Sequence, residues 1–185
     1  WWGDNKRFGL VPVNKYTAYW AAGIQANDLG LRQPEQYSAE MVKFLADLPE
    51  SIQSRVQSAS LNNIHKIYVH DLNPLTCWHR KNVLLIGDAA HAALPTSGQG
   101  ACQALEDAYH LAKLIQRKTN IESLATAFYN KRIEKVSRVQ QSGRGLARQI
   151  FVGEPSSVTP KPTETVPPEV QARGIAEFWA ANLPL

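Results

Sequence analysis

Two runs rich in β-branched and aromatic residues open the pattern of apolar and polar positions. Residues 7–13 (RFGLVPV) and 16–24 (YTAYWAAGI) are separated only by Asn14-Lys15, which predicts an antiparallel hairpin. Pro12 has no N–H to give to a ladder, which places the first strand at an edge or a bulge. From Pro34 the period lengthens: Met41, Phe44, Leu45 and Leu48 recur at helical spacing, and Pro49 ends that helix. A second short helix is predicted over Ser51–Ser58. Residues 64–72 (IHKIYVHDL) alternate again and predict a strand.

The pattern then changes in kind. In 82–89 (NVLLIGDA), Val83 to Ile86 form a continuous apolar run, which suits a strand buried on both faces of a parallel sheet. No βαβ unit surrounds that run in this chain. A helix follows from about Gln99 to Arg117, with Ala101, Leu105, Ala108, Ala112 and Ile115 along one face. A longer one covers about Ile121 to Ile150, with Leu124, Phe128, Ile133, Val136 and Val139 expected inward. Its Lys131, Arg132, Lys135, Arg138, Arg144 and Arg148 read as a solvated face rather than a binding patch. Residues 153–168 carry five prolines and read as an extended linker. A terminal helix, about Glu169 to Asn182, is predicted beyond it, and its Phe178 and Trp179 need something to pack against.

Composition narrows the class. With 44% apolar residues and five tryptophans, the 185-residue chain is a folded globular protein rather than a disordered one. A net charge of +4, gathered in one late segment, does not call for nucleic acid. The two cysteines, Cys77 and Cys102, lie far apart, so neither a disulfide framework nor a zinc site is indicated. No apolar run reaches the length of a membrane span and no signal peptide is seen, so a cytoplasmic setting is expected. The chain opens WWGDNKRFG, without methionine, and reads as starting in the middle of something.

The chemistry concentrates in residues 85–100 (LIGDAAHAALPTSGQG). Gly87 lets another group approach the backbone, and Asp88 points from the carboxyl edge of a sheet, where α/β sheets bind ligands. A carboxylate there accepts hydrogen bonds from sugar hydroxyls, although Asp is also a common turn residue. Pro95, Ser97, Gly98 and Gly100 build a rigid turn that delivers free backbone N–H groups at a helix start. Those donors favour an anion or a polarised carbonyl oxygen. His91 reads as structural, as do Glu106 and Asp107. Cys102 reads as a small packed residue.

Taken together, GDAAHAALPTSGQGACQALEDAYHLA strongly resembles the second FAD-binding signature of class A flavoprotein monooxygenases, the aromatic hydroxylase family of salicylate and para-hydroxybenzoate hydroxylases. The match is close from residue 83 to about 112. More loosely, RFGLVPV…YTAYW resembles the family's substrate-domain sheet, and FYNKRIEKVSRVQQSG its long helix. The resemblance implies an α/β fold, α+β within this stretch: a partial FAD/NAD(P)-binding monooxygenase fold with an antiparallel substrate-domain sheet, one FAD-domain strand and long C-terminal helices. It implies that residues 1–80 belong to the substrate-binding domain and 81–152 to the C-terminal part of the FAD-binding domain. Linker 153–168 and terminal segment 169–185 follow.

By the same resemblance, Gly87 and Asp88 bind the ribitol or pyrophosphate region of FAD. Pro95, Gly98, Gln99, Gly100 and Ala101 lie beside the isoalloxazine ring, and Tyr19 and Trp20 are candidates to line the substrate pocket, against the ordinary reading of strand aromatics as core. Chemistry would run through a C4a-hydroperoxyflavin with NAD(P)H as reductant, so no side chain is expected to be catalytic and no metal is expected. The family's Gly-x-Gly-x-x-Gly turn and its middle Asp-Gly pair are absent from this sequence. The enzymatic reading is therefore the C-terminal portion of a monooxygenase acting on an aromatic or unsaturated small molecule, with the N-terminal half of the FAD domain as its partner. The alternative is a split or truncated product, inactive alone, serving as an interaction or regulatory module. Homodimerisation through the terminal helix is a further option.

Overall fold

Asn14 folds the first hairpin. Its side-chain Oδ1 accepts hydrogen bonds from the amides of Tyr16 (2.8 Å) and Thr17 (2.9 Å), a local turn that asparagine makes readily. The strands it joins are β2 (Lys6–Pro12) and β3 (Ala18–Ile24), antiparallel, with Leu10 opposite Trp20 and Pro12 opposite Ala18. A two-residue strand, β1 (Trp2–Gly3), pairs with Lys6 and Arg7 on the other side, through a turn at Asn5 with φ +60°. The first long strand is thus central, not the edge that Pro12 predicts. The proline is tolerated because β1 reaches only Lys6 and Arg7, leaving the Pro12 end open on that side. Phe8 is buried and stacks on Trp20 at 6.1 Å.

The computed structural model describes residues 2–3, 5–25, 34–59, 64–117 and 120–153, with 169, 170, 173, 176, 177 and 180 of the terminal segment, all helical. Most of the predicted linker, 154–168, lies outside the described residues, as do Phe178 and Trp179. The chain divides into two compact units, one of Trp1–Gln25 with His70–Leu185, the other of Ala26–Val69.

In the smaller unit, α1 (Pro34–Leu45) and α2 (Glu50–Gln57) bury Phe44, Leu45, Leu48 and Val56. Pro49 separates them and caps the second, its carbonyl taking the Ile52 amide at 2.8 Å. Lys66 pairs with Glu40 and lies over the rings of Tyr37 and Tyr68. The strand expected at 64–72 does not form. Alternate residues from Ile64 to Val69 are half-buried and exposed, the pattern that reads as a strand, but no described neighbour offers a ladder.

In the larger unit, the short strands β4 (His79–Arg80) and β5 (Val83–Leu84) pair antiparallel. The apolar run 83–86 therefore has no parallel neighbour among the described residues, and Val83 and Ile86 are exposed. Its other members turn inward: Leu84 and Leu85 pack on a core of Trp78, Ala90, Phe128 and Val136. The short helix α3 (Asp88–His91) follows, then a 3-10 turn (Pro95–Ser97), α4 (Gly100–Ile115) and α5 (Ile121–Phe151).

Two faces come out differently from the apolar pattern. Helix α4 buries Gln103, Glu106, Asp107 and His110, while Leu105 is 73% exposed and Ala108, Ala112 and Ile115 are exposed with it. Its polar stripe faces inward because α5 offers it opposite charge. The expected solvated basic face of α5 is split for the same reason: Arg132 and Lys135 are buried, whereas Lys131, Arg138 and Arg148 are exposed. Phe128, Val136 and Val139 do point inward. Asn120 caps α5, accepting from the Ser123 amide at 2.8 Å. At its other end, Phe151 packs so closely on Gly23 of β3 that a Cβ there would sit 3.3 Å from the ring.

Candidate functional site

Residues 85–101 fold back on themselves so that the two ends of the motif meet. Gly87 adopts φ +56°, ψ −141°, a conformation open essentially to glycine alone. Its carbonyl accepts the amides of Ala90 and His91, starting α3, and Asp88 projects from that start into solvent. Pro95 opens the 3-10 turn, and Gly98, in the left-handed region at φ +65°, closes it. Ser97 Oγ accepts the Gln99 amide at 3.2 Å, and the Gln99 carbonyl accepts the Gln103 amide, so α4 begins at Gly100. The amides of Gly100, Ala101 and Cys102 fall outside the helix's own ladder. Asp88 Oδ1 lies 3.8 Å from where a Cβ on Gly100 would be, so the carboxylate stands beside those donors.

The turn is seated on α5. Thr96 Oγ1 donates to the Gly143 carbonyl at 2.7 Å, and a side chain at Gly143 would crowd the Leu94 carbonyl and Ser97 Cβ, each at 3.3 Å. Gln140 Nε2 donates to the carbonyls of Leu72 (2.8 Å) and Ala92 (3.1 Å), and Arg144 pairs with Asp71.

Beneath the site lies a buried polar network that the sequence reading left unassembled. Asp107, 0% exposed, accepts the Gly87 amide at 2.8 Å and His91 Nε2 at 2.7 Å through Oδ2, and Arg132 Nε at 2.7 Å through Oδ1. An ionised carboxylate only accepts, so His91 Nε2 carries the hydrogen. Arg132 also donates to Glu106 (2.6 Å) and to Gln103 Oε1 (2.8 Å), and Lys135 donates to Glu106 at 2.9 Å. Burial pushes the Asp107 carboxyl up, but the hydrogen bonds from His91, Gly87 and Arg132 outweigh it and hold it below the usual carboxylate value. Burial, aided by Arg132 and Lys131, holds His110 below the usual imidazole value, against the opposite pull of Glu106 and Asp107. One signal for the network was legible: Gln103, Glu106, Asp107 and His110 form a polar stripe at helical spacing, and Arg132 and Lys135 answer it three residues apart.

The structure brings Gly87, Asp88 and Gly100 together, with Gly98, Gln99 and Ala101 on the adjoining turn and helix start. Tyr19 and Trp20 lie elsewhere, on β3. Tyr19 is exposed, Trp20 half-buried on Phe8, and no hydrogen bond or ring contact among the described residues ties either to 87–101. Tyr16, at the hairpin turn, is also exposed. Cys102 is exposed as well, not the packed residue expected. Among the described residues no group of three His, Cys, Asp or Glu side chains is placed to hold a metal ion, and no helix is long and apolar enough to cross a membrane.

A carboxylate beside free helix-start amides suits a ligand that carries both hydroxyls and an electron-rich edge. The same stretch lies within residues 3–139, which match the model of the family described as "FAD binding domain". The chain belongs to that FAD-binding family. Among curated relatives, the aurachin C monooxygenase/isomerase of Stigmatella aurantiaca is 32% identical over 139 residues, covering 74% of this chain and 35% of its own. Among solved structures, Klebsiella pneumoniae HpxO complexed with FAD and uric acid aligns over 96% of this chain and 42% of its own, with TM-score 0.70 and 20% identity. A salicylate hydroxylase substrate complex aligns over 100% of this chain and 46% of its own, with TM-score 0.68 and 24% identity. These two share the fold, the partial α/β flavoprotein monooxygenase architecture expected from the motif. The chain spans about a third of the length of the curated relatives it matches.

Proposed function

We propose that this chain is the C-terminal portion of an FAD-dependent, NAD(P)H-using monooxygenase that hydroxylates or epoxidises an aromatic or unsaturated small molecule. The observation that carries the reading is the convergence of Asp88 on the first turn of α4, in a chain of the FAD-binding family. The residues present fit the cofactor. The exposed Asp88 carboxylate would accept from ribitol hydroxyls, and Gly98 and Gly100 would leave the backbone open to the ring. The amides of Gly100, Ala101 and Cys102, at the positive end of the α4 dipole, would stabilise negative charge that a bound flavin gains on reduction. When bound, FAD would supply redox chemistry in which NAD(P)H is oxidised, one oxygen atom of O2 enters the substrate and the other leaves as water.

The names of the relatives support the substrate class: one is a monooxygenase for aurachin C, one binds uric acid and one is a salicylate hydroxylase. Tyr19 and Trp20 are our candidates for the substrate side, with residues 1–80 in the substrate-binding domain and 81–152 in the FAD-binding domain. The exposed Val83, Ile86, Leu105 and Ile115 support a second proposal, that the remainder of the FAD-binding domain packs against these side chains. The working compartment is the cytoplasm, where NAD(P)H is supplied.

FAD titrated into the full-length parent, followed by flavin fluorescence anisotropy, tests the site. Saturable binding that Asp88→Ala weakens about tenfold or more is expected; equal binding by both proteins removes Asp88 from the site. In the full-length parent, NADPH or NADH oxidation with transfer of labelled oxygen from O2 to an aromatic acid tests the reaction. Oxidation that yields only hydrogen peroxide with every substrate of that class overturns it.

A further inference from the structure

We infer that Asp107, which lies beneath the ligand face, is a positioning residue for FAD: it fixes the Gly87 corner, and so the Asp88 carboxylate, relative to the start of the same helix. The inference rests on the FAD reading above and goes beyond it in naming what holds the site. Asp107 is the meeting point of three donors from three elements: the Gly87 amide at the strand-to-helix corner, His91 on α3 and Arg132 on α5. All three bonds lie between 2.7 and 2.8 Å, around a carboxylate with no solvent exposure. A structural acid in a helix needs one counter-charge, and Arg132 supplies it. The bond to the Gly87 amide does something else. That amide belongs to a residue at φ +56°, ψ −141°, and the next side chain is Asp88.

Because Asp107 and Gly100 share α4, one rigid element sets both parts of the proposed site. The helix start carries the donors, and the carboxylate two turns in carries the corner that aims Asp88. Arg132 then locks Asp107 itself, through Nε, while its NH1 and NH2 hold Glu106 and Gln103. The side chain touches no ligand atom in this scheme. Its influence runs through the backbone of Gly87.

Hydrogen exchange on the full 185-residue chain and FAD titration into the full-length parent separate this role from general stabilisation. In Asp107→Asn, exchange at the amides of Gly87 and Asp88 rises about tenfold or more while the middle of α5 is unchanged, and FAD binds about tenfold or more weakly. In Asp88→Ala, FAD weakens to a similar degree but exchange at Gly87 stays at the wild-type rate. If Asp107→Asn does not fold, His91→Phe takes its place: it keeps ring volume against Trp78 and keeps the Arg132 pair. It should move both readouts in the same direction by about threefold. Unchanged Gly87 exchange, or faster exchange with unchanged FAD affinity, overturns the positioning role. A wild-type full-length parent that shows no FAD binding overturns the cofactor reading and the FAD arm of this inference, while the exchange data judge the corner independently.

Discussion

Glycine does two different jobs in the site, and substitution separates them. At Gly98 an added Cβ meets nothing within 4 Å, so the cost of alanine comes from φ +65° alone, about 1 kcal/mol. At Gly87 the nearest atom to an added Cβ is Ala104 Cβ at 3.4 Å, an ordinary contact, so backbone strain again decides. There ψ −141° lies outside even the left-handed helical well, and the cost rises to roughly 2–3 kcal/mol. Urea midpoints should rank wild type, Gly98→Ala and Gly87→Ala in that order; the reverse order of the two variants removes strain as the reason. Asp88 and the glycines were legible in the sequence because their conformational demands are local. The sequence marks Asp107 as structural but does not name its partners, since one is 16 residues away and another 25.

Helices carry the next level. Hydrophobic periodicity located α4 and α5 well, yet it assigned the wrong face of α4 to the interior. Period alone finds a helix; which stripe turns inward depends on what the neighbour offers. Here α5 presents Arg132 and Lys135, so Glu106 and Asp107 go in and Leu105 stays out. Removing the counter-charge should therefore cost far more than a surface pair. Arg132→Met leaves Glu106 and Asp107 buried without it, and a loss of about 3–5 kcal/mol in chemical denaturation is expected. A loss below 1 kcal/mol would mean that the network contributes little. Gly143 tests the seat of the turn on α5. Leucine there must displace the Leu94 carbonyl and Ser97, and about 2 kcal/mol or more is lost, beyond the roughly 1 kcal/mol that leaving glycine gains in helix propensity. A more stable Gly143→Leu protein would contradict the close seating.

The strands of the whole molecule were legible in proportion to their partners. The hairpin 6–24 was read correctly because both strands and the turn are contiguous in sequence. Residues 64–72 have a strand-like pattern without a ladder among the described residues, and 83–86 pair only at Val83 and Leu84, antiparallel to β4, since a pattern states what a strand would bury and not which neighbour is there. The buried network gives the molecule a pH dependence of one sign. His110 is held below its usual value, so at acid pH the unfolded chain takes the proton first and stability falls as pH drops below about 6.5. Asp107 is depressed, so its contribution is present above about pH 4 and is lost as pH falls through its lower folded value. Melting temperature should decline in acid in two stages, and His110→Gln should flatten the first. A profile identical to wild type would show that His110 does not titrate differently on folding.

Helix α5 holds the Gly87 corner and the glycine turn from far along the chain. Gly143 seats a turn that Thr96 reaches across 47 positions, and Arg132 locks Asp107 across 25. A ribosome finishes the corner first. At roughly 5–20 residues per second, the glycine turn and the first half of α4 wait several seconds before their clamp is synthesised. During that interval Glu106 and Asp107 have no cation to meet, and the apolar face of α4 is as available as its polar face. The order of synthesis thus leaves the corner without its clamp until α5 has been made.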